Sequence, residues 1–227
     1  MGLFMALSGV IDAPRLDVQN ALTAFAQGCS GGLELAQGST ENPNIGVITK
    51  TGGNTTVLYP NGFCEWDDAS KHISSRLGKV VFSLHIHDGD LWMFLLFQKG
   101  EEIGRFNPVP GYWEEVTPED KAKWTGDAGL ISGLIPSVPP DAIAKYFVEW
   151  DQEQAEEVKA YPDDKFAMGD CWQMCDFMEK VGLEYPMGSD GSIRGDTFRF
   201  WTKEFRIRKE RPSTPPPQQP KPWWKFW

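Results

Sequence analysis

Two apolar runs, Val80-Val-Phe-Ser-Leu-His-Ile-His87 and Leu91-Trp-Met-Phe-Leu-Leu-Phe97, flank an Asp88-Gly89 pair and constrain this chain more than any other stretch. Each run has the length and the β-branched and aromatic content of a strand, and Asp-Gly is a strong hairpin signal. A two-residue loop pairs His87 with Asp90, His85 with Trp92 and Leu84 with Met93. One face then carries Val80, Phe82, Leu84, Met93, Leu95 and Phe97. The other carries Val81, Ser83, His85, Trp92, Phe94 and Leu96. Side chains alternate along a strand, yet here both sets are largely apolar. An antiparallel sheet with one wet face would alternate apolar and polar residues. Both faces of this hairpin therefore need cover, and the second half of the chain is the expected source.

The flanking elements point to an α+β fold, a mostly antiparallel sheet with helices packed on it. Leu3–Ile11 reads as a strand and Asp12 as a helix cap, with Pro14 in the first turn. Val18, Ala21, Leu22, Phe25 and Ala26 recur at helical spacing. Short strands follow at Leu33–Leu35, Ile45–Thr49 and Thr55–Leu58. A helix from Asp67 or Asp68 stops at Gly78, and Glu102–Phe106 is a further strand. After Asn107, helix starts are expected at Thr117-Pro118, at Pro139-Pro140-Asp141 and at Asp170. A last strand is expected over Phe198–Ile207. The boundaries read as a sheet domain at 1–110, a helical region packed on it at 111–207, and a basic, Pro-rich linker with an aromatic peptide at 208–227.

The 227 residues are 41% hydrophobic, enough for a real core, and carry a net charge of −10. The charge is uneven: from Lys203 onward seven basic residues oppose two acids, so that segment is +5 and residues 1–202 carry −15. An acidic body repels nucleic acid, and no nucleic-acid partner is expected. No stretch reaches the ~20 apolar residues of a membrane span. Met1–Val10 lacks the basic start of a signal peptide, and Ala6 stands where an N-myristoylation signal on Gly2 wants Ser or Thr. Four irregularly spaced cysteines, Cys29, Cys64, Cys171 and Cys175, point to reduced thiols and a cytoplasmic location.

Two constellations could carry chemistry. His85-Ile-His87 puts two imidazoles on one side of a strand, as metal ligands often stand. With Asp88 it resembles a fragment of the metallo-β-lactamase H-x-H-x-D-H motif or the amidohydrolase H-x-H. The Asp falls one place early, however, and His72 is the only other histidine, so no metal and no cofactor is expected. Cys171-Trp172 sits at an expected helix start, where the dipole can lower a thiol pKa, and resembles the Cys-Trp of papain-like cysteine hydrolases. No histidine lies downstream, so that resemblance implies a permuted enzyme with His85 or His87 as base. Loops and motifs of the P-loop, dinucleotide-binding, α/β-hydrolase and zincin types do not occur.

The remaining feature is the peptide Pro220-Lys-Pro-Trp-Trp-Lys-Phe-Trp227. The prolines at 212, 215, 216, 217, 220 and 222 favour an extended spacer, about 3.1 Å per residue or roughly 30 Å in all. Burial of each aromatic side chain contributes on the order of 1.5–3 kcal/mol. The primary expectation is a non-catalytic adaptor or regulatory protein that docks a protein partner through Trp223, Trp224, Phe226 and Trp227, with Lys221 and Lys225 orienting them. The alternatives are the permuted cysteine hydrolase, a peripheral protein held at a membrane surface by the Trp and Lys residues, and a tail that folds back into a groove on its own body.

Overall fold

The computed structural model describes residues 2–36, 45–150 and 158–205. Its centre is an eight-stranded sheet: β1 (Met5–Val10), β2 (Gly32–Leu35), β3 (Ile45–Thr51), β4 (Asn54–Leu58), β5 (Val80–His87), β6 (Leu91–Gln98), β7 (Glu101–Phe106) and β8 (Asp196–Trp201). The spatial order is β2-β8-β3-β4-β1-β5-β6-β7, and every pairing is antiparallel. Five α-helices are present among the described residues: α1 (Arg15–Gly28), α2 (Trp66–Leu77), α3 (Pro118–Ala122), α4 (Ala128–Leu134) and α5 (Gln173–Lys180). The fold is α+β, as the pattern of elements predicts. No helix among the described residues is long and apolar enough to cross a membrane.

The central hairpin differs from its predicted register by one residue. Asp88 and Gly89 both take positive φ, 54° and 81°, and the Asp90 amide donates to the His87 carbonyl at 2.9 Å. Asp90 nevertheless stays out of the ladder, so His87 faces Leu91, Ile86 faces Trp92 and Leu84 faces Phe94. A one-residue slip exchanges every side chain of one strand between faces. Phe82, Leu84 and Ile86 therefore share a core with Trp92, Phe94 and Leu96, while Val81 shares the opposite core with Phe97. Both faces of β6 are apolar, so hydrophobicity alone does not penalise the wrong register.

Both faces are covered, by different parts of the chain. The Trp92 face packs against Ile131, Tyr146, Met174 and Phe177 from the second half. Phe177 stacks on Phe94 at 5.5 Å with an interplanar angle of 4°, and on Trp92 at 5.3 Å. The Val81 face packs under α1, through Val18, Leu22 and Phe25, and under α2, through Ala69 and Ile73. The helical spacing of these residues builds the second core directly. Gly78 closes α2 in the left-handed region, φ 66°, where a side chain would be strained.

Several local expectations are corrected. Asp12 does not cap α1: Pro14 holds that position without a side-chain bond, and the Asp12 carboxylate pairs with Lys79 at 2.5 Å. Pro140 and Asp141 open only two 3₁₀ turns, Pro140–Ala142 and Ala144–Tyr146. The third helix starts at Gln173 rather than Asp170. Thr117 does cap α3, accepting from the Asp120 amide at 3.1 Å. The final strand, β8, inserts between β2 and β3, which local pattern does not reveal. Phe198 faces Gly46 across the ladder, and a Cβ on Gly46 would lie 2.4 Å from the Phe198 ring.

Candidate functional site

A groove of about 460 Å³ opens at the end of the sheet where β1 begins and β4 and β5 finish. That volume falls in the ~300–1,000 Å³ range of ligand sites. Phe4 and Met5 line it beside the start of β1, Tyr59 and Phe63 come from the β4–α2 connection, and Trp66 is the first residue of α2. Tyr185 and Met187, from the segment between α5 and β8, complete the wall. The rings interlock: Phe63 meets Tyr59 at 5.1 Å and Phe205 at 5.7 Å.

His85 and His87 line this groove, on the same side of β5. His85 is 5% exposed and lies 4.5 Å from the Trp66 ring. Burial, reinforced by His87, pushes its pKa down to about 4, so the imidazole is neutral at physiological pH. Its Nδ1 is shielded and has no hydrogen-bond partner. A buried polar atom without a partner is uncommon. His87 is held among the rings of Phe4, Tyr112 and Trp113, at 5.0, 5.6 and 4.9 Å. Its Nε2 accepts from the Trp113 indole at 3.3 Å. The Tyr112 hydroxyl donates to Asp90 at 2.5 Å, which pushes the phenol up to about 12.

A buried chain of hydroxyls runs from the groove under α2. Tyr59 shares a hydrogen with Ser8 at 2.6 Å, Ser8 with Ser70 at 2.6 Å, Ser70 donates to Ser83 at 3.0 Å, and Ser83 donates to Asp67 at 2.7 Å. Burial raises both ends, the Tyr59 phenol and the Asp67 carboxyl, above their ordinary values. The chain satisfies polar groups that would otherwise be stranded between helix and sheet.

The structure does not bring Cys171 to the histidines. Cys171 is 5% exposed in the core that holds Met174 and Phe177, on the opposite face of the sheet from His85. It lies ahead of the first turn of α5, and burial, with Asp170 nearby, pushes its thiol up to about 11. An activated nucleophile needs the reverse. Cys175 is pushed up to about 12, again mainly by burial. Among the described residues, no three His, Cys, Asp or Glu side chains gather into a cluster that could hold a metal ion. Lys221, Trp223, Trp224, Lys225, Phe226 and Trp227 lie outside the described residues.

Sequence reasoning singled out His85 and His87 but not the aromatic walls around them. Phe4, Phe63, Trp66, Tyr185 and Met187 share no spacing rule, and only the fold gathers them. The one available signal was the aromatic content of the Tyr59–Trp66 connection, which is unusual for a loop. Comparison with protein-family models, with curated proteins and with solved structures finds no match.

Proposed function

We propose that the chain is a non-catalytic binding protein that acts by docking aromatic side chains. The groove beside His85 is its receptor, and the aromatic peptide at 223–227 is the element it presents to a protein partner. The observation that carries this reading is the groove itself: walls of Phe, Tyr, Trp and Met beside a neutral, nearly buried imidazole. Such a site rewards a flat apolar group with a polar edge, which is the chemistry of indole and phenol rings. The separation of Cys171 from both histidines, and its raised pKa, weigh against the hydrolase alternative. All four cysteines are unpaired, which supports a reducing, cytoplasmic setting.

The test uses N-acetyltryptophanamide and the full chain carrying ¹³C-methyl methionine, at low micromolar concentration. Met5 and Met187 line the groove, whereas Met174 and Met178 are fully buried in the adjoining core and do not line it. Titration is expected to shift the first pair and leave the second pair in place. Failure of Met5 and Met187 to respond would remove the groove as a receptor.

A further inference from the structure

The groove identifies its own occupant. Three segments lie outside the described residues beyond Met1: 37–44, 151–157 and 206–227. The first two, Gln-Gly-Ser-Thr-Glu-Asn-Pro-Asn and Asp-Gln-Glu-Gln-Ala-Glu-Glu, contain no aromatic side chain, whereas 206–227 contains four in its last five residues. Phe205, the residue just before 206–227, packs at the groove. The Phe205 ring packs on Phe63, and a Cβ on Gly62, another groove residue, would lie 3.9 Å from the Phe205 ring. Residues 206–227 carry six basic residues against one acid, while the rest of the chain is −15. Apolar match, charge match and proximity agree.

Length decides which copy is served. Six prolines in 212–222 favour an extended spacer, about 3.1 Å per residue or roughly 30 Å. Phe205 packs at the chain's own groove, and a spacer that favours extension carries the peptide away from that groove rather than back into it. The groove of a second copy suits it. We propose, resting on the docking reading above, that the peptide Trp223–Trp227 of one chain inserts into the groove of a second copy. Reciprocal exchange then closes a two-fold dimer. The partner that the aromatic peptide recruits is thus another molecule of the same protein.

Sedimentation velocity on two full-length variants tests this. The first carries Met187→Lys, which places a cation in the groove at a partly exposed position. The second carries Trp223→Ser, Trp224→Ser, Phe226→Ser and Trp227→Ser, which alter no described residue. The unmodified chain is expected to dimerise with rising concentration, and each variant alone to associate roughly tenfold more weakly or less. Mixed together, one variant supplies an intact groove and the other an intact peptide, so a heterodimer is expected. A monomer at every concentration for the unmodified chain, or no heterodimer in the mixture, overturns the proposal. A synthetic 218–227 peptide titrated into the four-serine variant separates the two levels. A Met187 shift with no heterodimer leaves the groove as a receptor and removes the exchange. If N-acetyltryptophanamide also leaves Met5 and Met187 unmoved, the docking reading itself falls.

Discussion

His85 offers a direct measure of how dry the groove wall is. The imidazole pKa is ordinarily 6.5 and is pushed down to about 4 here. Between those values the unfolded chain takes up a proton and the folded chain resists it, so the folded state loses stability as pH falls. The contribution is fully present above 6.5 and lost as pH falls through about 4. At 1.36 kcal/mol per pKa unit the full loss is about 3 kcal/mol, of which about 2.5 kcal/mol is gone by pH 4.5. Asp67 and Asp176 act in the opposite direction, because burial raises both carboxyls and acidification relieves them. The informative quantity is therefore the difference between the native protein and His85→Phe, which keeps a ring against Trp66 and removes the unpaired Nδ1. At pH 7 this variant should be as stable as the native protein, or about 1 kcal/mol more stable, since an unsatisfied buried nitrogen is gone. From pH 7 to 4.5 its advantage should grow by about 2.5 kcal/mol. Urea unfolding followed by tryptophan fluorescence at several pH values reads this directly. An advantage that stays constant within about 0.5 kcal/mol would mean that His85 titrates alike in both states, and the account of a desolvated imidazole would be wrong.

Three further outcomes are expected. With a thiol reagent at pH 8 in the native state, exposed Cys64 should react promptly, while Cys171 and Cys175 should wait for unfolding; prompt labelling of Cys171 would revive a nucleophilic role. Phe177→Ala removes a ring stacked on Phe94 and Trp92 and should cost about 3–5 kcal/mol in chemical denaturation; a loss below 1 kcal/mol would show that the core collapses around the site. Ser70→Ala breaks the hydroxyl chain between Ser8 and Ser83 and should cost about 1–3 kcal/mol, with a smaller loss if the two freed hydroxyls find each other.

Much of the fold follows from local pattern, because helical and strand periodicities are properties of short segments. The stripe Val18, Ala21, Leu22, Phe25, Ala26 determined α1 and its buried face. Gly78 determined where α2 ends, and Thr117-Pro118 determined where α3 begins. The two apolar faces of β5 and β6 determined that the sheet is covered on both sides. Hairpin register is a different quantity. With both faces of β6 apolar, the backbone path at Asp88–Asp90, with Asp88 and Gly89 both at positive φ, sets the pairing. The helix expected at Pro140 became 3₁₀ turns for a different reason: Tyr146 is anchored by the Asp164 carboxylate at 2.7 Å, a partner eighteen residues away.

The candidate site shows the same division. The sequence by itself determined that His85 and His87 share one side of a strand, since alternation is intrinsic to extended backbone. It also determined that 223–227 is rich in aromatic side chains and basic in its surroundings. It could not place Cys171 relative to those histidines, because the two faces of one sheet are adjacent in space yet separated by the sheet itself. Only the tertiary structure put Cys171 behind that barrier, drew Phe4, Phe63, Trp66, Tyr185 and Met187 around His85, and inserted β8 so that Phe205 arrives at Phe63. Each of these depends on which strands pair across long stretches of sequence. Such pairing is decided by burial summed over the whole sheet, and no short segment carries it.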